Sequence, residues 1–312
     1  MANWSAEQIP DLSGKTIIVT GGNSGIGFEA ALQLAGKGAG VILACRNLDK
    51  ASTALESIRS SFPSSSVEPF ELDLAKLDSV RAFAKRFLDS GRSLDVLCNN
   101  AGVMALPLRR TAEGFEMQLG TNHLGHFALT GLLLERLLAT EGARIVSVAS
   151  NFHRFGRIDF DDLNWQHSYG RWPAYGRSKL ANLLFTYELQ RRLDRLSTSA
   201  LAVACHPGYA ATNLPLAGFK KKRASLQEGA AKLGNRILAQ SAAKGALPTL
   251  RAAVDPEVRG GDYFGPDGLA EMWGSPIKVE SNARSHDLET AARLWEISEE
   301  LTGVRYDAIR LS

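Results

Sequence analysis

The sequence predicts a single-domain α/β fold, a doubly wound parallel sheet covered by helices on both faces. Three observations point to it. Short runs of β-branched and apolar residues recur along the chain and are apolar on both faces, as strands buried on two sides require. Helical patterns separate these runs, so successive strands lie parallel through right-handed crossovers. No Gly/Ser/Pro linker and no break in composition divides the 312 residues, so 1–312 reads as one unit.

The elements follow in order. Thr16 to Thr20 (TIIVT) reads as a buried strand and Gly25 to Gly38 as a helix. Val41 to Cys45 and Val67 to Leu72 read as the next two strands, each followed by a helix, over Leu48 to Ser60 and Leu77 to Leu88. Asp95 to Cys98 and Arg144 to Ala149 supply strands four and five, with Glu113 to Leu138 between them as one long helix. Trp172 to Leu193 is helical and Leu201 to Cys205 makes a sixth strand. A sheet of about seven strands is expected. Two stretches lack a clear period, 151–173 and 210–238. Loops of this length are usually functional, and they fall after strands, at the carboxyl edge where such sheets bind ligands.

Composition excludes several classes of function. With 45% hydrophobic and 22% charged residues the chain has the balance of a soluble globular protein. A formal net charge of +3 is too small over this length for a nucleic-acid binder. The run Lys220-Lys221-Lys222-Arg223 reads as a solvated face. Cys45, Cys98 and Cys205 lie apart in apolar runs and read as buried thiols, which suits a cytoplasmic compartment. Residues 1–10 are polar and show neither a signal peptide nor a membrane anchor. No run approaches the roughly 20 apolar residues that span a bilayer.

Strand one ends in Thr20-Gly21-Gly22-Asn23-Ser24-Gly25-Ile26-Gly27 and opens directly into a helix. Gly21 suits a tight turn, Gly25 lets the backbone approach a pyrophosphate, and Gly27 permits close packing of helix on strand. The helix N-terminus offers free N–H groups to the phosphates. This is the context of a Rossmann-type dinucleotide site, although the G-x-x-x-G-x-G spacing is wider than the usual fingerprint. At the end of strand two, an NAD site would carry Asp or Glu to bind the ribose hydroxyls. Here Cys45 is followed by Arg46 and Asn47. A guanidinium can bind a 2′-phosphate by paired hydrogen bonds, and no carboxylate repels it, so NADP(H) is expected.

Tyr175 and Lys179 are four apart in a helical stretch and so share one face. An ammonium near a phenol lowers its pKa from about 10 and prepares it for proton transfer to or from a substrate oxygen. Other candidates have plainer readings. His123 and His126 are three apart but lack a third ligand, so no metal is expected. His153, in the loop near Ser150, reads as a surface histidine rather than one that lines the pocket, and His206 as a residue that packs or bonds at the end of strand six. Trp165, Trp172, Phe219 and Trp273 are either a pocket wall or ordinary packing.

Taken together, these residues resemble the short-chain dehydrogenase/reductase family from about Asp11 to Tyr263. Besides the glycine loop, the motifs are Asp73-Leu74, Asn99-Asn100-Ala101-Gly102, Asn122 in Thr121-Asn122-His123-Leu124-Gly125, Ser150, Tyr175 with Lys179, and Pro207-Gly208. His126-Phe127, Ser178-Lys179-Leu180-Ala181-Asn182 and His206-Pro207-Gly208 are similar to the retinol-dehydrogenase-like subgroup. The resemblance implies that Tyr175 is the proton donor or acceptor and that Ser150 bonds the substrate oxygen. It implies that Lys179 binds the nicotinamide ribose and lowers the tyrosine pKa, and that Asn122 holds a water in a proton relay. Asp73 would meet the adenine, Asn99 to Gly102 would line the adenosine side, and Pro207, Gly208 and Thr212 would fix the carboxamide. Ser150 and Tyr175 stand 25 positions apart, more than compact members show. The subgroup also carries this extra segment, Phe152 to Trp172, which is placed to cover the pocket and to hinder the helix pairing behind family oligomers.

The expected function is therefore NADP(H)-dependent interconversion of a carbonyl and an alcohol, with an apolar small-molecule aldehyde or ketone as substrate. The alternatives are reduction of a carbon–carbon double bond, as in protochlorophyllide reductases, and a non-catalytic NADP(H)-binding regulator. A homo-oligomer is left open.

Overall fold

All five residues of β1 (Thr16–Thr20) are buried, and their side chains alternate between two separate cores. That is the physical basis of the layered fold. The computed structural model describes residues 3–209 and 240–309. After β1 come α1 (Gly25–Gly36), β2 (Gly40–Cys45), α2 (Leu48–Ser61), β3 (Val67–Glu71), α3 (Leu77–Asp89) and β4 (Val96–Asn99). The chain continues with α4 (Gly125–Leu138), β5 (Arg144–Val148), α5 (Arg171–Leu193), β6 (Leu201–Cys205) and α6 (Ala242–Val254). It closes with β7 (Tyr263–Pro266), β8 (Pro276–Lys278) and α7 (Leu288–Thr302). The run 210–238, with Thr212, Phe219 and Lys220 to Arg223, lies outside the described residues.

Among the described residues the sheet has eight strands in the order β3-β2-β1-β4-β5-β6-β7-β8. All pairs are parallel except the last, where β8 returns antiparallel to β7. From β1 the chain winds first outward to β2 and β3, then back across to β4. The strand ends on either side of that reversal open a crevice, where ligands of such sheets bind. On one face Ile17, Val19, Leu43, Val146 and Val203 pack with α1 and α6 residues such as Leu34 and Leu250. On the other, Ile18, Ile42, Leu97 and Ile145 pack with Phe83, Phe127, Phe185 and Leu189 from α3, α4 and α5.

The stretch expected as one helix over 113–138 is broken. Arg110 and Glu116 form an isolated antiparallel bridge, and Glu116 then caps a short turn by accepting from the N–H groups of Gln118 and Leu119. A π-helical turn, Gly120–Leu124, follows before α4 begins. Tertiary crowding accounts for the glycines here: a Cβ on Gly125 would lie 2.5 Å from Leu74 O, and one on Gly120 2.4 Å from Thr111 Cγ2. Such turns displace the residues they carry relative to an ideal helix, and they recur at functional sites. This one carries Asn122.

Phe127 is fully buried at the meeting of α4, α5, α7 and the chain end. It lies 5.5 Å from Phe185, 5.2 Å from Trp295 and 4.8 Å from Tyr306, ring centre to ring centre. Tyr306 donates its hydroxyl to Phe127 O at 2.6 Å. Phe127→Ala is expected to lower the free energy of unfolding by about 3–5 kcal/mol, read from denaturant midpoints at unchanged m-value.

Candidate active site

The glycine loop leaves β1 at Gly21, whose φ of 67° suits a residue without a Cβ. Ser24 precedes α1 but makes no side-chain cap, so the first N–H groups of the helix face the crevice unclaimed by it. Gly27 packs so closely that a Cβ there would lie 2.4 Å from both Gly21 O and Asn100 Nδ2. The loop is held from below by Thr20. Asn100 N and Ala101 N both donate to Thr20 Oγ1 at 2.9 Å, and Asn100 Nδ2 donates to Thr20 O at 2.8 Å.

A cavity of about 410 Å3 runs from this loop to Tyr175. Of the residues expected to bind a dinucleotide, it is lined by Gly21, Asn23, Ser24, Gly25, Ile26, Gly27, Arg46, Asp73, Leu74, Ala101, Gly102, Tyr175, Lys179 and Pro207. Others stand aside. Asn47 caps α2 by accepting from Lys50 N at 2.8 Å. Asn99 is buried and donates to Thr130 Oγ1 at 3.0 Å, steadying the sheet. Gly208 turns the chain after β6 with φ 65°. Sequence reasoning missed Thr20, Cys45, Met104 and Thr121. Thr20 could have been suspected as the polar end of an apolar strand; the others carry no signal of their own.

Tyr175 and Lys179 lie on the buried face of α5, at 8% and 4% exposure. Lys179 Nζ donates to Val148 O at 2.8 Å and sits 5.9 Å from the centre of the Tyr175 ring. The expected lowering of the tyrosine pKa is not what this arrangement gives. Burial pushes Tyr175 up to about 12, against the pull of a hydrogen bond with the Ser150 side chain. The same burial pushes Lys179 down to about 8. Desolvation disfavours both charged forms, and it is the largest cause of each shift.

Ser150 ends the β5 edge, and its hydroxyl accepts from Phe152 N at 3.3 Å while meeting Tyr175. Asn122 is fully buried. Its Oδ1 accepts from Val103 N at 2.8 Å, and its Nδ2 donates to Val103 O and to Ser178 Oγ, each at 2.9 Å. A Cβ on Gly102 would lie 3.2 Å from Asn122 Oδ1 and 3.5 Å from Lys179 Nζ, so the Asn122 amide lies behind Gly102 near Lys179, which itself lines the cavity. Ser150, Tyr175, Lys179 and Asn122 are thus brought to one end of the crevice.

His123 and His126 are buried. His126 is bonded through Nδ1 to Asn122 O and through Nε2 to Thr20 Oγ1, and His123 contacts Ser298 Oγ. Burial lowers His123 to about 3 and His126 to about 4. The surface reading of His153 is overturned: it is fully buried, donating from Nδ1 to Ser150 O at 2.7 Å and accepting from Asn282 N. Among the described residues no group of His, Cys, Asp and Glu is arranged to hold a metal ion. Beside Tyr175 an aromatic wall rises. Phe152 stacks on Trp172 at 4.9 Å and reaches the tyrosine ring at 5.7 Å, and Phe155 extends it outward at 74% exposure. Trp165 lies away from this wall, under the Arg177 guanidinium, which also ties the extra segment down through Arg157 O and Leu163 O.

The family model for short chain dehydrogenases matches residues 15–222. This chain belongs to the short-chain dehydrogenase family. It is an oxidoreductase fold with a nicotinamide dinucleotide site, and relatives extend over nearly its whole length. Human retinol dehydrogenase 13 is 42% identical over 304 residues, covering 96% of this chain and 88% of that protein. Human retinol dehydrogenase 12 is also 42% identical, over 298 residues, 95% of this chain and 89% of that protein. The crystal structure of an uncharacterised protein from Mycobacterium paratuberculosis superposes with TM-score 0.81 at 42% identity, over 98% of this chain and 99% of that one. A Shigella flexneri short chain dehydrogenase crystallised with NADP shares the fold at TM-score 0.63 and 23% identity, over 82% of this chain and 98% of its own. Among the described residues no helix is long and apolar enough to cross a membrane.

Gly27→Ala is expected to weaken dinucleotide binding at least about tenfold, because the methyl group would push the loop off β4. Fluorescence titration with NADPH measures it directly.

Proposed function

We propose that this enzyme interconverts a carbonyl and an alcohol with NADP(H), and that its substrates are apolar, retinol-like alcohols and aldehydes. The observation that carries the reading is the Tyr175 phenol, hydrogen-bonded with Ser150 and one helical turn from Lys179, at the end of a crevice that begins in the glycine loop.

The nicotinamide supplies or accepts the hydride when bound. The chain's own residues do the rest. Gly21 to Gly27 and the α1 N-terminus hold the pyrophosphate, with Asn23 and Ser24 at the turn. Asp73 and Leu74 border the adenine, and Ala101 and Gly102 the adenosine side. Pro207 and Gly208, with Thr212 from the part of the chain outside the described residues, hold the carboxamide end. Arg46, exposed at the mouth after β2, meets the 2′-phosphate, and Asn47 beside it supports that turn by capping α2. Asn99 acts one layer below, fixing β4 to α4 through Thr130.

In the reducing direction the substrate oxygen lies between Ser150 and Tyr175. With a pKa near 12 the phenol is protonated at neutral pH, so it is ready to donate as charge develops on that oxygen. Ser150 stabilises the same charge by hydrogen bonding. The phenolate left behind is stabilised by the Lys179 ammonium, and Asn122, which borders the lysine, holds the relay that returns a proton. The aromatic wall of Phe152, Phe155 and Trp172 suits an extended apolar substrate, and the names of the relatives favour retinol-like compounds.

Two measurements test this. With all-trans-retinal and NADPH, Tyr175→Phe is expected to lower kcat about 10³-fold while leaving NADPH affinity within about threefold, since it removes only the proton donor. Arg46→Ala is expected to raise KM for NADPH about tenfold or more and to leave KM for NADH nearly unchanged, because only the phosphate loses its partner. A near-wild-type rate in the first would remove Tyr175 from the mechanism, and equal effects on the two dinucleotides in the second would remove the NADP(H) assignment.

A further inference from the structure

The reversal between β7 and β8 faces the Ser150 side of the crevice, and its centre is held in a disfavoured conformation. Ala270 and Glu271, adjacent and neither of them glycine, have φ of 53° and 56°. This backbone points the Glu271 carboxylate at two different parts of the site.

One oxygen, Oε2, lies 2.9 Å from Nε2 of His206, the residue that opens the Pro207-Gly208 turn. His206 is fully buried. Gly208 N donates to its Nδ1 at 3.2 Å, so the neutral ring carries its proton on Nε2, facing the carboxylate. That contact does not meet the geometry of a full hydrogen bond, and among the described residues neither atom has another hydrogen-bond partner. The other oxygen, Oε1, accepts from Arg154 Nη2 at 3.1 Å. Arg154 belongs to the turn Asn151–Phe155 that starts from Ser150, and Asn151 Nδ2 donates to Ala270 O at 3.1 Å in the same reversal.

We propose that Glu271 is a positioning residue: its carboxylate braces Pro207-Gly208 through His206, and the Ser150 turn through Arg154, at a fixed separation on either side of Tyr175. This rests on the reading of the site as a centre of hydride transfer. The two braced segments carry the carboxamide contact and the substrate-oxygen contact, so their spacing sets the approach of hydride donor to carbonyl carbon. Misplacement on the order of 1 Å can lower a rate about 10²-fold. The His206 imidazole and the Arg154 guanidinium hold the Glu271 carboxyl below its usual range, so the brace is charged at neutral pH.

The test is Glu271→Gly, which removes the carboxylate and eases the left-handed backbone, so that folding is spared. The expected result is a fall in kcat for NADPH-dependent retinal reduction of about 10- to 100-fold, with NADPH affinity within about threefold and thermal midpoint unchanged or raised. Glu271→Gln, which keeps the shape but supplies one acceptor oxygen in place of two, is expected to fall between Glu271→Gly and wild type, and it decides the question if the glycine variant does not fold. A kcat within about twofold of wild type, or a loss accounted for by weaker NADPH binding or lower stability alone, would overturn the brace. Tyr175→Phe assayed alongside separates the two readings. Turnover lost in Tyr175→Phe but kept in the Glu271 variants overturns the brace alone, whereas turnover that survives Tyr175→Phe overturns both.

Discussion

The hydroxyl of Thr20 is the constraint on which the site depends. It accepts two backbone N–H bonds from the loop after β4 and lies 2.9 Å from His126 Nε2. His126 Nδ1 faces Asn122 O, an acceptor, so that nitrogen bears the ring proton and Nε2 is left as an acceptor, which shares the threonine's hydrogen with Cys98 O at 3.2 Å. One oxygen thereby ties the strand that launches the glycine loop to the loop beneath the dinucleotide, and through a neutral imidazole to the π turn that carries Asn122. All three polar groups are buried, where an unpartnered donor or acceptor would be costly, so the network has little freedom to rearrange.

Burial then sets the chemistry. Tyr175 and Lys179 are adjacent and of opposite potential charge, and proximity alone would ease the ionisation of both. The surrounding sheet edge removes so much water that the neutral forms gain instead, raising the phenol to about 12 and lowering the amine to about 8. A buried phenol that keeps its proton serves as an acid, and it becomes a base only when further charge is brought beside it.

Much of this was legible in the chain itself. β1 to β6 are short, apolar on both faces and separated by periodic helices, so their existence and order could be read. The later strands could not. β7 is Tyr-Phe-Gly-Pro and β8 only Pro-Ile-Lys, too short and too rich in Gly and Pro to carry a strand signal, and they form because β6 leaves an open edge to pair with. The helix expected over 113–138 forms only in part: Gly125–Leu138 is helical, but a π turn precedes it where Gly120 and Gly125 pack closely against Thr111 and Leu74, contacts between segments that periodicity does not show. His153 reads as polar and exposed from its neighbours, yet it is buried because Ser150 O and Asn282 N satisfy both of its nitrogens.

The sequence by itself determined the fold class, the position of the glycine loop, and the pairing of Tyr175 with Lys179, because each depends on local spacing: a strand's apolar run, a turn's need for glycine, a helix's four-residue repeat. Tertiary structure decided which of the named residues face the crevice, the protonation of the tyrosine and lysine, and the recruitment of Thr20, His126 and Glu271 from distant segments. Those outcomes depend on desolvation and on contacts between residues far apart in the chain, and neither quantity exists until the chain has closed on itself.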